Sequence, residues 1–294
     1  MMPDDTESTR PRRSLLFTPA NRPTAFTKAL ASGADIVCLD LEDAVPPDQK
    51  AAARAPAINF LMQSDADGPQ HALRINAVNS HVGLEDLTAV LRAAPRHGMI
   101  LLPKVSEAAE LHLVDTLLSE VRSSLELGAL IETLDGLENV AAIAQATPRL
   151  KLMVFGAVDF SAELGTDNAD APLAYARGKV IHAAKRAGID VMDVPSLNFS
   201  DLDGIGQAAR HAQHLGFTGK AAIHPTGVDE INTAFTPSAE EIEQAKRVIA
   251  AYEASPNGLA VLDGRLVEAP VVKAMQRRLA IAASHAQNEA DPDA

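Results

Sequence analysis

The chain has 294 residues and a formal net charge of −13, from 26 Lys and Arg against 39 Asp and Glu. With 47% hydrophobic and 22% charged residues, its composition is that of a globular protein and excludes disordered, collagen-like and coiled-coil chains. The negative charge and the aromatic fraction of only 3% argue against nucleic acid as a partner, because phosphates would be repelled and bases would find few rings to stack on.

The N-terminal region and the cysteine content indicate the compartment. No apolar run approaches the roughly 20 residues that span a bilayer, and the first residues lack the apolar segment of a signal peptide. The sequence therefore predicts a cytoplasmic protein that does not enter a membrane. The one cysteine, Cys38, has apolar neighbours and is predicted to be a buried strand thiol.

Taken in chain order, the elements predict an α/β protein. Residues 1–12 are expected to form a flexible tail, and over residues 13–254 short apolar runs alternate with segments of helical period, as in a parallel sheet. The predicted strands are Ser14–Thr18, Asp35–Asp40, Ala72–Asn76, Met99–Pro103, Leu127–Glu132, Leu152–Gly156, Asp190–Val194 and Gly219–Ile223. The predicted helices are Arg22–Ala31, Gln49–Met62, Gly83–Ala94, Glu107–Ser124, Leu137–Ala146, Leu173–Ala187, Leu202–Leu215 and Ser238–Ala254. Eight such units favour a TIM (β/α)8 barrel, which typically has about 250 residues.

Residues 255–294 do not fit a ninth unit. The dipeptide Asp263-Gly264 between two apolar runs predicts a β-hairpin. Pro270 suits the first turn of a final helix. We therefore expect a small C-terminal extension or lid after the barrel, ending in a frayed acidic tail.

Two carboxylates point to a metal site. Glu132 ends the predicted fifth strand and Asp159 follows the sixth, at the barrel end where TIM-barrel active sites lie. Neighbouring strands are about 4.8 Å apart, so both carboxylates can reach one hard cation such as Mg²⁺, with positions left for water and a chelating substrate. The alternative is that either acid only caps the helix that follows it.

Arg74 ends an apolar strand, and a buried guanidinium requires an anionic partner. A substrate carboxylate would serve, and the alternative is a structural ion pair with the acids after the second strand. Those acids, Asp40, Glu42 and Asp43, would repel one another without a cation among them. We expect them to hydrogen-bond to metal-bound water, or else to lie in a solvated loop.

Other residues at strand ends, and other motifs, are predicted to have structural rather than functional roles. Lys104 and His224 also follow predicted strands, and His224 is expected to be a hydrogen-bonded loop imidazole. Residues 204–209 match a dinucleotide-binding fingerprint in letters but follow a polar segment, so they are predicted to start a helix. The nine His lack the spacing of a zinc site, and no GxSxG motif of an α/β-hydrolase occurs.

Seven segments carry a family resemblance: RSLLFTPANRP, DIVCLDLEDAVP, LRINA, LLPKV, ALIETLDGLENV, VFGAVDFSAELG and GKAAIHP. Over residues 13–284 the chain resembles the citrate lyase β-subunit-like group of the HpcH/HpaI aldolase superfamily. The resemblance implies a TIM barrel with a C-terminal extension, assembly as a homotrimer or hexamer, and Mg²⁺ dependence. It also implies cleavage or formation of a carbon–carbon bond in a 3-hydroxyacyl-CoA thioester.

The resemblance assigns roles to particular positions. Arg74 would grip the carboxylate of the oxo acid, Glu132 and Asp159 would bind the metal, and Asp40 and Asp43 would hold metal-bound water. The loop with Asn21 and Arg22 matches the loop that binds coenzyme A phosphates. Further positive charge would come from Arg12, Arg13 and Lys28.

Two positions depart from the family pattern. Relatives with lyase or thioesterase activity place an aspartate of the extension in the neighbouring subunit's site, whereas this chain has Glu268 there. Val158 replaces a residue that is often acidic. The first change affects the position of a proton-transferring group, since a carboxylate moved by one methylene exceeds the tolerance of a positioned base.

The sequence thus predicts a Mg²⁺-dependent lyase that converts malyl-CoA, β-methylmalyl-CoA or citramalyl-CoA into a 2-oxo acid and an acyl-CoA. Glu268 of another protomer would transfer the proton. One alternative is an aldolase that acts on 4-hydroxy-2-oxo acids without coenzyme A. Others are the β subunit of a citrate lyase complex and a non-catalytic binding protein.

Overall fold

Eight parallel strands close into a barrel in the computed structural model, which describes residues 10–64, 68–167, 169–255 and 258–290. The strands follow one another around the barrel in chain order, and β8 closes on β1. They are β1 (Ser14–Pro19), β2 (Ile36–Asp40), β3 (Gln70–Arg74), β4 (Met99–Leu102), β5 (Glu126–Ile131), β6 (Leu150–Phe155), β7 (Asp190–Asp193) and β8 (Gly219–Ala222). The predicted TIM barrel is confirmed.

Helices occupy the connections between the strands. They are α1 (Phe26–Leu30), α2 (Lys50–Met62), α3 (His81–Ala93), α4 (Ala108–Glu120), α5 (Leu134–Glu138), α6 (Val140–Ile143), α7 (Ala157–Leu164), α8 (Asp170–Ala187), α9 (Leu202–Leu215) and α10 (Val228–Phe235). Short 3-10 turns lie at Pro23–Ala25, Pro47–Gln49 and Pro225–Gly227.

The barrel interior is filled with apolar side chains. They are Leu15, Ile36, Cys38, Ala72, Met99, Leu101, Leu130, Leu152, Val154 and Met192. The Cys38 thiol is free and buried, as predicted, and burial raises its pKa. Because the middle of the barrel is packed with such residues, polar side chains of the inward-facing set lie towards the strand ends.

Four connections differ from the predicted helices, and one of them is the connection after β8, where α10 was not predicted. After β6 the chain forms α7, which was not predicted and which ends at Gly165 in a left-handed conformation (φ 74°). The helix predicted over residues 137–146 is broken at Asn139 into α5 and α6. The first helix begins with a 3-10 turn at Pro23–Ala25, so α1 itself has five residues.

The chain divides into two compact units. The larger is Arg12–Asn232, and the smaller combines Met1–Pro11 with Thr233–Ala294, so the division falls inside α10. Of the predicted tail, Arg12 belongs to the larger unit. Residues 1–9 of that tail, and residues 291–294 of the predicted frayed end, lie outside the described residues. The domain boundary at residue 254 stays a prediction.

The smaller unit contains the predicted hairpin and final helix. It comprises α11 (Ala239–Glu253), β9 (Ala260–Leu262), β10 (Arg265–Val267) and α12 (Ala269–Ala290). Asp263 and Gly264 form the hairpin turn with φ of 50° and 75°, and Arg247 binds the Asp263 carboxylate at 2.8 and 3.1 Å. The hydrophobic core of the smaller unit centres on Val248, Val267 and Val272. Among the described residues, no helix has the length and apolarity needed to cross a membrane.

Candidate active site

Arg74 lies at the carboxyl end of β3 and is held by the acids that follow β2. Its Nε and Nη2 donate to the two carboxylate oxygens of Asp40 at 2.7 and 2.6 Å. Its Nη1 lies 3.0 Å from Glu42 Oε2 and 3.6 Å from Asp43 Oδ2. Although burial opposes the charge, the bonds to Asp40 raise the pKa of Arg74 above its ordinary value. The structure thus shows the ion pair that the sequence left as an alternative.

Asp40 fixes the loop as well as the guanidinium. The carboxylate is 1% exposed and also accepts the backbone N–H groups of Glu42 and Ala44, at 2.8 and 3.0 Å. The Arg74 guanidinium carbon lies 4.9 Å from the centre of the Phe17 ring. These contacts hold Arg74 in one orientation at the barrel mouth, and they give Asp40 the geometry of a positioning residue.

Lys104, two residues after β4, joins the acids of several strands. Its backbone is left-handed, with φ of 52°, which is uncommon for a residue other than glycine. Its Nζ contacts Glu42 Oε1 and lies 2.9 Å from Asp159 Oδ2 and 3.8 Å from Asp43 Oδ1. Burial opposes its charge, but hydrogen bonds to Glu42 and Asp159 raise the pKa of the ammonium above its ordinary value.

Glu132 immediately follows β5 and is 4% exposed. Its Oε1 accepts the backbone N–H of Lys104 at 2.8 Å. A Cβ at Gly156 would lie 2.4 Å from Glu132 Oε2, so this glycine leaves the space that the carboxylate occupies. Burial and the negative charge of Glu42 raise the pKa of Glu132 to about 7, against the opposing charges of Lys104 and Arg74.

Asp159 stands in the first turn of α7, three residues beyond the end predicted for the sixth strand. Its side chain is 39% exposed and pairs with the Lys104 ammonium. The helix after β5 is capped by Thr133, whose side chain accepts the N–H of Gly136, so Glu132 is not a capping residue. The position of Asp159 in a first turn also suits the helix dipole, so its capping alternative stays open.

The donor set fits a hard divalent cation. The Lys104 ammonium contacts the carboxylates of Glu42 and Asp159, and the Glu132 carboxylate accepts the Lys104 backbone N–H. No three His, Cys, Asp or Glu side chains in the described part of the chain converge as ligands of one ion. Mg²⁺ is commonly bound through one or two protein carboxylates with water and substrate oxygens, so these residues fit Mg²⁺.

The loop after β1 lies at the same barrel end. Asn21 Nδ2 donates to Gln49 Oε1 at 2.7 Å, and its buried Oδ1 has no hydrogen-bond partner among the described residues. Arg22 and Lys28 are exposed. Asn21 and Arg22 are therefore placed where a ligand at the barrel mouth could reach them.

Arg12 and Arg13 do not lie there, and their predicted contribution to a coenzyme A site is wrong. Arg12 binds Glu126 at 2.7 Å and Asp190 at 3.3 Å, and these acids begin β5 and β7. Arg13 binds Asp35, just before β2, at 2.8 and 2.9 Å. Both arginines are thus paired at the amino end of the strands, which is the face opposite the carboxyl ends.

The remaining candidates occupy separate places. Glu268 is exposed and immediately precedes α12 in the smaller unit. Val158, beside Asp159, is 46% exposed. His224 accepts the N–H of Thr226 as a helix cap and stacks on Phe199 at 5.0 Å, in keeping with a structural imidazole.

Two residues of this cluster were underrated from the sequence. Glu42 contacts both Arg74 and Lys104. The Lys104 ammonium contacts Glu42 and Asp159 and lies 3.8 Å from Asp43, and the Lys104 backbone N–H donates to Glu132. Lys104 could have been noticed in the sequence as a lysine directly after the predicted fourth strand. The left-handed backbone of Lys104, which directs its side chain towards the acids, could not be predicted from the sequence.

Comparison with known proteins agrees with this geometry. The model of the HpcH/HpaI aldolase/citrate lyase family matches residues 13–225. The chain is 34% identical to an L-malyl-CoA/beta-methylmalyl-CoA lyase of Cereibacter sphaeroides, over 90% of this chain and 92% of that protein. It is 38% identical to a (3S)-malyl-CoA thioesterase of the same species, over 88% and 90%.

A solved structure gives a similar result. CitE from Mycobacterium tuberculosis, in complex with magnesium, acetoacetate and coenzyme A, superposes with a TM-score of 0.80 at 32% identity. The match covers 94% of this chain and 99% of that chain.

Proposed function

The chain belongs to the HpcH/HpaI aldolase/citrate lyase family and is a carbon–carbon lyase, and we propose that it uses Mg²⁺ to cleave a 3-hydroxyacyl-CoA thioester into a 2-oxo acid and an acyl-CoA. The observation that carries this proposal is that Lys104 contacts both predicted ligands at the barrel mouth, Glu132 through its backbone N–H and Asp159 through its ammonium. The names of the relatives support malyl-CoA and β-methylmalyl-CoA as substrates. Citramalyl-CoA has the same 3-hydroxyacyl thioester chemistry.

Glu132 and Asp159 would hold the ion, and Glu42 and Asp43 would hold its water. Asp40, which was also predicted to hold metal-bound water, instead binds Arg74 and two backbone N–H groups, so we assign it no water. When bound, Mg²⁺ supplies Lewis-acid stabilisation of the charge that develops on the oxo-acid oxygen. Gly156 leaves space for the Glu132 carboxylate. Thr133 caps the helix after β5, so Glu132 is not needed as a cap and its carboxylate is available to a ligand.

Arg74 would hold the substrate carboxylate. Asp40 fixes the guanidinium through Nε and Nη2, so the remaining edge is Nη1, where the exposed Asp43 is the longer contact at 3.6 Å. A substrate carboxylate that replaces Asp43 on Nη1 would gain a charge-assisted bond without disturbing the Asp40 pair. Asn21 and Arg22 would bind the coenzyme A phosphates from the loop after β1.

Cleavage requires a base for the 3-hydroxyl proton and an acid for the acyl-CoA carbon. The bond between the hydroxyl-bearing carbon and the α-carbon of the thioester breaks, and its electron pair forms the acyl-CoA enolate. One carboxyl group can take the hydroxyl proton and deliver it to the α-carbon of that enolate. We assign this group to Glu268 of a neighbouring protomer in a homotrimer or hexamer. Its exposed position at the start of α12 supports the assignment.

An assay of 3-hydroxyacyl-CoA thioesters tests the function. The purified chain is incubated with each thioester and Mg²⁺, and 2-oxo acid and free thiol are measured separately. We expect oxo acid without an equivalent of free thiol, and loss of turnover with EDTA. Turnover of 4-hydroxy-2-oxo acids alone would instead indicate the aldolase. Activity only with added acyl carrier protein and transferase subunits would indicate a citrate lyase subunit.

Mixed oligomers test the role of Glu268. Inactive Glu268→Gln protomers mixed with inactive Glu132→Gln protomers should regain part of the activity, because some interfaces then combine an intact metal site with an intact Glu268. No rescue in oligomers shown to be mixed would contradict a shared site. Glu268→Asp restores the residue of the relatives and measures how far the extra methylene sets the lyase rate.

A further inference from the structure

Lys104 occupies the centre of the acid cluster with a side chain that the proposed reaction does not use. Its ammonium contacts Glu42 and Asp159 and lies 3.8 Å from Asp43. Its side chain is 36% exposed, so the ammonium has a route to solvent. A left-handed φ of 52° costs a non-glycine residue energy, and such strain is kept where the surrounding contacts impose it.

The ammonium and a divalent ion would need the same carboxylate. Lys104 Nζ is 2.9 Å from Asp159 Oδ2, whereas Mg²⁺ binds a carboxylate oxygen at about 2.1 Å. Two cations on one carboxylate repel each other strongly at such separations. Glu42, which is itself fixed by Arg74, offers the ammonium a second partner to which it can withdraw.

We propose that Lys104 holds the place of the divalent ion in the metal-free enzyme and is displaced from Asp159 when the ion binds. This rests on the metal site of the proposed function. Lys104 thereby keeps Asp159 and Glu42 in place before loading, and it lowers the affinity for Mg²⁺ by competing for Asp159. The backbone N–H of Lys104 continues to hold Glu132, because this contact does not involve the side chain.

Two substitutions remove the ammonium while keeping that N–H. Lys104→Met retains the side-chain length, and Lys104→Gly fits the left-handed backbone without strain, so it covers the case in which the Met variant does not fold. Mg²⁺ binding to chelator-treated protein is measured by titration calorimetry. We expect both variants to bind Mg²⁺ about tenfold more tightly than wild type. Lys179→Met removes a lysine of α8 that pairs with Glu138, so it controls for net charge, and it should leave the Mg²⁺ affinity near wild type.

Thermal unfolding supplies a second measurement. Without Mg²⁺ the two Lys104 variants should unfold at a lower temperature relative to the Lys179 control, and saturating Mg²⁺ should raise their midpoint more than it raises that of wild type. Equal or weaker Mg²⁺ binding in the variants that fold, while wild type binds, would overturn the exchange but not the metal site. Absence of Mg²⁺ binding to wild type and variants alike would overturn the metal site itself.

Discussion

The two ends of the barrel use the same ionic groups for different purposes. At the amino end, Arg12 is shared between Glu126 and Asp190, and Arg13 is matched by Asp35. At the carboxyl end, two cations face five carboxylates: the cations are Arg74 and Lys104, and the acids are Asp40, Glu42, Asp43, Glu132 and Asp159. In these two clusters, two arginines face three acids at the amino end and two cations face five acids at the carboxyl end, so the carboxyl-end cluster has the larger excess of negative charge.

Burial accentuates this difference for Glu42 and Glu132 at the carboxyl end. At the amino end, Glu126 and Asp190 are about one-third exposed, at 30% and 34%, whereas Asp35 is 7% exposed and is paired with Arg13. Glu132 and Glu42 are buried, and burial raises the pKa of both. An added cation stabilises the ionised form of such buried acids. The amino end therefore has ion pairs that hold strands together, whereas the carboxyl end is suited to binding a cation.

The largest effect should come from the proposed metal ligands. Glu132→Gln and Asp159→Asn are expected to lower kcat/KM by at least about a thousandfold, because each removes an anionic oxygen donor for the ion. The matched controls are Glu126→Gln, at the opposite end of β5, and Glu163→Gln, one turn further along α7. Both controls should retain activity. Unchanged turnover of either ligand variant at limiting Mg²⁺ would remove that residue from the metal site.

The pH dependence of stability should show the excess charge directly. In metal-free protein the pKa of Glu132 is about 7, above its value in the unfolded chain, so the folded state binds more protons between about pH 5 and pH 7. Its contribution to stability is therefore present at low pH and is lost as the pH rises through 7. Relative to Glu132→Gln, wild type should lose up to about 3 kcal/mol of unfolding free energy between pH 5 and pH 8.

Denaturant unfolding with a chelator present measures this loss. A parallel series on Glu126→Gln should follow wild type, because this variant leaves Glu132 unchanged. Equal pH profiles of wild type and Glu132→Gln would show that Glu132 ionises normally. The two ends of the barrel would then not differ in the way described.

Arg74 should matter for substrate as well as for folding. Arg74→Lys is expected to lower kcat/KM roughly fifty-fold, or about 2–3 kcal/mol, because an ammonium cannot bind Asp40 in two places and a substrate carboxylate at the same time. Arg12→Lys is the corresponding change at the amino end and should leave kcat/KM unchanged. Near-normal efficiency of Arg74→Lys would assign Arg74 to the structural ion pair alone.

Much of this arrangement was predictable because it depends on periodicity. Alternation of apolar runs and helical segments identified the barrel, and the rule that active sites lie at strand carboxyl ends selected Arg74, Glu132 and Asp159. The hairpin followed from Asp263 and Gly264, whose turn conformation is a property of the dipeptide itself.

What escaped prediction depends on backbone direction and on the opposite barrel end. The left-handed Lys104 turns its ammonium over the acids, and short α7 carries Asp159 beyond its strand. Arg12 was assigned to ligand binding since a sequence shows charge but not which carboxylates begin the neighbouring strands. The partners Glu126 and Asp190 are 114 and 178 residues away along the chain.

The smallest effect should come from Arg12, and it tests whether the amino end is only structural. Arg12→Met removes a guanidinium that bridges Gln70, Glu126 and Asp190. Because the two acids are partly exposed and regain water, the free energy of unfolding should fall by only about 1 kcal/mol, while kcat/KM and the Mg²⁺ affinity stay at wild-type values. Denaturant unfolding and steady-state kinetics measured on the same preparation decide this. A change in Mg²⁺ affinity would mean that charge at the amino end acts on the metal site at the carboxyl end through the barrel. The apolar side chains packed between the two ends would screen such an interaction less than salt solution does.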